Sequence, residues 1–341
     1  MHLQTRSFTD LKQKPKLETY QIKSKSGISA EIINFGARIK SIKIPTATGY
    51  RDVVLSYPNL NTYGHDPFYL GAICGRYAGR IRNGHFALNG DSFLLNRDLS
   101  VGPHALHGGA IGFSKKKWER VQDSPTNEAN LKIFSADGDQ GFPGNLSANV
   151  RYELLEPASL LIDLTATTDK PTAINLASHI YFNLDGTASH ISDHTIQINA
   201  QEYTVQDNTL LPTGEIKNVA DTPFDMRKSI DLKSKIEELR KLNGEYGFDQ
   251  NFVINRKEDG LTLAATLTSS SSDLTMQVFT DQPAIQLYTG QYLAKPFYPG
   301  AGLCLETQAF PDAPNQSSFP SAILLPEEVY RKQTVLSFIW N

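Results

Sequence analysis

The segment Gly302-Leu303-Cys304-Leu305-Glu306-Thr307-Gln308 sets one carboxylate near the end of an apolar strand, shortly before the chain breaks at Pro311. Leu303 and Leu305 read as core. A carboxylate buried without a partner is costly, or its pKa rises until it neutralises. Glu306 is therefore a candidate general base. The competing reading is an outward-facing glutamate, because apolar-polar alternation is also what a half-exposed strand shows. A histidine, with an unperturbed pKa of roughly 6.5, can donate a proton near neutrality. His179 sits in Asn175-Leu176-Ala177-Ser178-His179-Ile180-Tyr181-Phe182-Asn183-Leu184, among apolar and aromatic neighbours, where a backbone-bonded core histidine is the alternative. His107 precedes Gly108-Gly109, and glycines there let ring and backbone approach a ligand closely.

Two further clusters carry hydrogen-bonding groups. In Gly71-Ala72-Ile73-Cys74-Gly75-Arg76-Tyr77-Ala78-Gly79-Arg80-Ile81, closely spaced glycines flank two arginines with planar forks of donors. Neither GxGxxG nor a P-loop is present, and no helix follows, which argues against nucleotide phosphates. A hydroxyl-rich ligand suits these arginines, and a structural ion pair would explain either one. Phe248-Asp249-Gln250-Asn251-Phe252 and Gln286-Leu287-Tyr288 combine carboxylate, amide and aromatic groups, a set that suits a sugar's hydroxyls and C–H faces, with ordinary strand ends as the alternative. His190 and His194 have H-x3-H spacing but lack a further ligand set, so no metal is expected. Residues 137–144 look calcium-like, yet without the distal glutamate they read as a rigid turn. No GxSxG elbow accompanies Ser178.

The elements that must position these groups are strands. Apolar residues recur at period two in Ile28-Ala30-Ile32, Val150-Tyr152-Leu154, Leu160-Ile162-Leu164, Leu261-Leu263-Ala265-Leu267 and Leu274-Met276-Val278, separated by turn-forming residues. That pattern predicts an all-β fold, an antiparallel sandwich or barrel. Asn89-Gly90 predicts a type I′ hairpin. One helix is expected over 231–242, capped by Asp231, ended by Gly244, with Ile236, Leu239 and Leu242 near one face. No composition break divides the 341 residues, which predicts a single domain over 1–341. With Lys+Arg 33, Asp+Glu 36 and a net charge of −3, nothing attracts a nucleic acid. Residues 1–10 lack an apolar leader core, no window reaches a membrane span, and two distant cysteines suggest no disulfide framework. A cytoplasmic protein without membrane contact is expected.

Taken in order, Asn34-Phe35-Gly36-Ala37, residues 75–81, Leu106-His107-Gly108-Gly109, residues 137–144, residues 175–184, Phe248-Asp249, Gln286-Leu287-Tyr288-Thr289-Gly290 and Leu305-Glu306-Thr307-Gln308 resemble the aldose 1-epimerase (galactose mutarotase) family. The resemblance runs from about Ile28 to Phe338. It implies a large antiparallel β-sandwich with few short helices, and cofactor-free interconversion of α and β anomers of free aldoses such as galactose and glucose. By the same resemblance Glu306 matches the catalytic base and His179 the catalytic acid, while Arg80, His107, Asp249 and Gln286 match sugar-holding positions, with Gly79 and Tyr181 beside them. Two residues depart from the pattern: Gly79 replaces a commoner asparagine, and Ser178 precedes the histidine where asparagine is frequent. The rival readings are a hexose-6-phosphate mutarotase, in which Arg76 or Arg80 would face a phosphate, and a non-catalytic carbohydrate-binding protein. A glycoside hydrolase would want a second well-placed carboxylate. The partner expected is a small aldose, the protein being a monomer or homodimer.

Overall fold

The computed structural model describes residues 17–340 apart from 48, 122–123, 187–188, 257–259 and 272. Residues 1–10, read above for a leader, lie outside the described set. Two large sheets dominate. One has nine strands in the order Glu119–Arg120, Glu128–Ser135, Leu146–Leu155, Ser159–Thr168, Tyr330–Trp340, Leu274–Thr280, Thr262–Thr268, Thr195–Ile198 and Ile230–Asp231. The other has six, in the order Tyr181–Phe182, Leu303–Gln308, Ala284–Tyr288, Asp249–Ile254, Ala200–Gln206 and Pro212–Asn218. All pairings within both are antiparallel. Val150, Ile162 and Val278 of the first share one core with Phe252, Ile285, Leu287, Leu303 and Leu305 of the second. The predicted all-β sandwich is the observed architecture, because alternate residues of each sheet have only the other sheet to cover them.

The opposite face of the six-stranded sheet is where the chemistry gathers. Register places Glu306 opposite Gln286, Cys304 opposite Tyr288, and Tyr288 opposite Asp249. Period two then points Cys304, Glu306 and Gln308 to the same side, away from Leu303 and Leu305.

Local signals in the sequence held where the physics is local. Asn89 and Gly90 take φ of 53° and 89° between His85–Leu88 and Asp91–Leu94. The helix is Leu232–Asn243; the Asp231 side chain accepts from the Ser234 N–H, and Gly244 ends it at φ 81°. Leu242 is a correction, being 68 % exposed. Steps of three residues lag about 60° each around a helix of 3.6 residues per turn, so Leu242 has rotated off the stripe begun by Ile236. The run Leu261-Leu263-Ala265-Leu267 is a second correction: a register shift lies between Leu263 and Ala265, and Leu263 is only half-buried while adjacent Ala264 and Ala265 are both buried. The bulge transfers the inward face from one set of alternate residues to the other.

A buried ion pair shapes the loop that crosses the polar face. Arg38 donates to Asp66 at 2.6 Å, with side chains 1 % and 0 % exposed, and also to the carbonyls of Leu70 and Ser114. Asp66 accepts in addition from the Tyr57 hydroxyl and the N–H groups of Phe68 and Leu70. Residues 66–70 are thereby fixed, presenting Phe68 and Tyr69 to the cleft. Replacing Asp66 by Ala strands the Arg38 guanidinium in the interior, so unfolding in denaturant should lose about 3–5 kcal/mol, and Arg38→Met combined with Asp66→Leu should recover much of it. Equal stability of Asp66→Ala and wild type would show that the pair does not hold this loop.

Candidate active site

Glu306 is 3 % exposed, although its strand faces a cleft of about 710 Å³. All of Leu303–Gln308 is buried, so the reading of Glu306 as a surface glutamate is rejected. Its Oε1 lies 3.7 Å from His179 Nε2, and its Oε2 has no protein partner. Burial pushes the carboxyl up to about 8, with Asp249 adding and Arg80 opposing.

His179 ends the short strand Ala177–His179, which pairs with Ala72–Cys74. The residue is 4 % exposed, yet its ring lines the cleft, packed 5.0 Å from Tyr181 and 5.2 Å from His107. Burial pushes its pKa down to about 4, which keeps the ring neutral near pH 7. Tyr181 spends its hydroxyl on the carbonyl of Phe68 at 3.0 Å, leaving its ring as cleft wall.

His107, at φ 49°, donates its backbone N–H to the Gly79 carbonyl, and the Gly79 N–H returns a hydrogen bond to His107 Nδ1 at 3.2 Å. That second bond decides the tautomer. Nδ1 must offer a lone pair, so the single proton of the neutral ring sits on Nε2. Burial and the neighbouring His179 hold His107 well below the usual histidine range. His107, His179 and Glu306 bring one ligand atom each within 4.8 Å of one another, the composition of a zinc site. The donor set does not fit a metal, however, because His107 offers a proton rather than a lone pair.

The remaining groups form a chain across the strands. Gln286 Nε2 donates to Asp249 Oδ1 at 2.6 Å, and Arg80 Nη2 lies 3.6 Å from Asp249 Oδ2. Gly79, Arg80, His107, His179, Tyr181, Asp249, Gln286 and Glu306 all line this one cleft. Arg76 is a correction, since it does not line the cleft. It is 1 % exposed, and its guanidinium donates to the carbonyls of Ser135, Ala136 and Pro143 and to Ser135 Oγ, stapling the turn at 137–144. Ser178 does not line the cleft, and His194 Nε2 accepts from the Leu184 N–H.

Tyr69 and Gln308 of the cleft, and Cys304 against His179, were not singled out from the sequence. Tyr69, at φ 58°, packs its ring 4.6 Å from that of His107, and nothing local foretells it. Gln308 is 1 % exposed with neither amide atom partnered by protein. Cys304 contacts His179. The last two share the parity of Glu306 along their strand, a signal that was available.

The aldose 1-epimerase family model matches residues 18–337. The chain belongs to this family. It is an isomerase, and the family's pattern spans most of its length. Aldose 1-epimerase from Escherichia coli K12 is 35 % identical over 331 residues, covering 93 % of this chain and 94 % of that one. Human galactose mutarotase is 36 % identical over 333 residues, covering 94 % of each. Among solved structures, the GalM/aldose epimerase homologue from C. elegans superposes with a TM-score of 0.88 at 28 % identity, covering 95 % of this chain and 99 % of that one. Galactose 1-epimerase from Lactobacillus acidophilus gives 0.80 at 27 %, with the same coverage.

The family's commoner asparagine at position 79 can be weighed against the backbone. Gly79 has φ +78°, and a Cβ there would lie 3.3 Å from Pro311 Cβ. Gly79→Ala should cost about 1–2 kcal/mol of stability, the penalty of a left-handed conformation. Gly79→Asn should cost less, since asparagine tolerates that region better. Denaturant midpoints check this ranking, and an alanine variant as stable as wild type would reject it.

Proposed function

We propose that this protein is a mutarotase that interconverts the α and β anomers of free aldoses such as galactose and glucose, with Glu306 as base and His179 as acid. The observation that carries the assignment is their separation, 3.7 Å between Glu306 Oε1 and His179 Nε2, both buried and both lining one cleft. In the ionised state Glu306 takes the proton from O1 of the cyclic sugar, and the O1–H electron pair becomes the C1=O1 π bond. The C1–O5 bond breaks with its electrons going to O5, which takes the proton from His179 Nε2. The open-chain aldehyde turns about C1–C2. Reclosure returns each proton to its donor and forms the other anomer.

Arg80, His107, Asp249 and Gln286 hold the hydroxyls in this reading, with Gly79 and Tyr181 shaping the wall. His107 contributes a fixed Nε2–H, which favours developing negative charge on a sugar oxygen without transferring a proton. A phosphorylated hexose fits less well. Arg80 is the sole lysine or arginine among the described residues lining the cleft, against Asp249, Glu245 and Glu306. A module that merely binds sugar would gain nothing from desolvating both a carboxyl and an imidazole. We further propose that the chain acts as one domain, without a cofactor, in the cytoplasm, as a monomer or homodimer. Among the described residues no helix is long and apolar enough to cross a membrane.

Polarimetry of anomer equilibration on glucose and galactose is the direct test. Glu306→Gln keeps the volume and removes the base, so kcat should fall by at least about 10²–10⁴-fold while sugar still binds. His179→Asn should lower kcat far more than it raises KM. An active Glu306→Gln enzyme would sink the assignment.

The pH profile follows from the burial of both groups. Glu306, raised to about 8, is mostly protonated at pH 6 and becomes the working carboxylate only as pH climbs through 8. His179, lowered to about 4, stays neutral across that range and donates from a neutral ring. The ratio kcat/KM should therefore rise about tenfold per unit below pH 8 and level off above it. A fall between pH 6 and 8 would instead mean that a protonated imidazolium is required.

A further inference from the structure

A neutral imidazole carries one proton, and His179 can serve as the acid only if that proton is on Nε2, the nitrogen that faces Glu306. Something must therefore occupy Nδ1 as a donor. Cys304 Sγ lies 3.4 Å from Nδ1, within hydrogen-bond reach for sulfur. We propose that Cys304 is a positioning residue, its thiol donating to His179 Nδ1 and so holding the ring in the Nε2–H tautomer. The inference rests on the acid role assigned above to His179.

The placement of Cys304 supports it. The residue is fully buried, two positions before Glu306 on Leu303–Gln308 and on the same face, so one strand presents the base and orients the acid. Burial pushes the thiol well above its ordinary pKa, with Glu306 and Cys74 adding, so the sulfur keeps its proton and can donate. Glu306, His107, Tyr69, Tyr181 and Tyr288 also surround the ring, but none of them makes a hydrogen bond to Nδ1. The competing partner is the backbone carbonyl of His179 itself, which can only accept. Were it to win, the proton would move to Nδ1 and leave Nε2 bare. His107 shows the same device in another form, the Gly79 N–H donating to its Nδ1.

Two substitutions separate the donor from the bulk. Cys304→Val fills the space, with about one extra methylene, but has no donor, whereas Cys304→Ser retains one. Nitrogen-15 NMR of histidine-labelled free enzyme at neutral pH should show the His179 proton on Nε2 in wild type and in Cys304→Ser. In Cys304→Val it should show the proton partly or wholly on Nδ1, with kcat lower by about three- to tenfold, the scale of one net hydrogen bond, at unchanged KM. A wild-type ring protonated on Nδ1 would overturn the proposal. So would a Cys304→Val enzyme with unaltered tautomer and kcat. The tautomer is read without substrate, so full activity in His179→Asn would refute the acid role separately.

Discussion

A carboxyl group held out of water beside an imidazole also held out of water is the constraint on which this structure turns. Glu306 and His179 are 3 % and 4 % exposed, and desolvation drives their pKa values in opposite directions, up for Glu306 and down for His179. In water a glutamate is too weak a base at neutral pH to take a hydroxyl proton readily. Raised to about 8, it becomes a stronger one, while the histidine is kept from the charged state that would pair with it and quench it. Such an arrangement persists only where the surroundings are rigid, and here they are two packed antiparallel sheets whose common core lies directly behind the strand carrying Glu306.

With both histidines neutral, the location of a single proton on each ring matters more than charge. His107 receives a backbone donor on Nδ1 and presents Nε2–H to the cleft. The cost of misplacing that proton would be a buried donor facing a donor, which few sites tolerate. The same bond turns a proton rather than a lone pair of His107 toward the cleft.

Two buried arginines fix loops without touching the cleft. Arg38, paired with Asp66 in the interior, fixes the segment that delivers Phe68 and Tyr69, and Arg76 ties down the turn at 137–144 through backbone carbonyls. Arg80 alone reaches the cleft, where Asp249 anchors it. These three arginines thus divide into two that hold loops and one that faces the cleft, a division set by which carbonyls and carboxylates lie within reach of each fork.

What the sequence determined by itself was whatever rests on neighbours in the chain. Period-two apolar runs specified strands, Asn89-Gly90 specified its hairpin, and Asp231 and Gly244 bounded the helix, because these depend on local dihedral preferences and single hydrogen bonds. Glu306, His179 and the other candidate residues were legible as unusual residue types in apolar or glycine-rich settings and as motifs in the order of a known family. Tertiary structure alone decided that residues from positions 79 to 306 converge on one cleft, that Arg76 serves a turn, and that a bulge reverses the burial of Leu263. It also decided which nitrogen of His107 carries the proton and what lies against His179 Nδ1. Those outcomes are set by register and by contacts between residues far apart in the chain, which no spacing along a single sequence encodes.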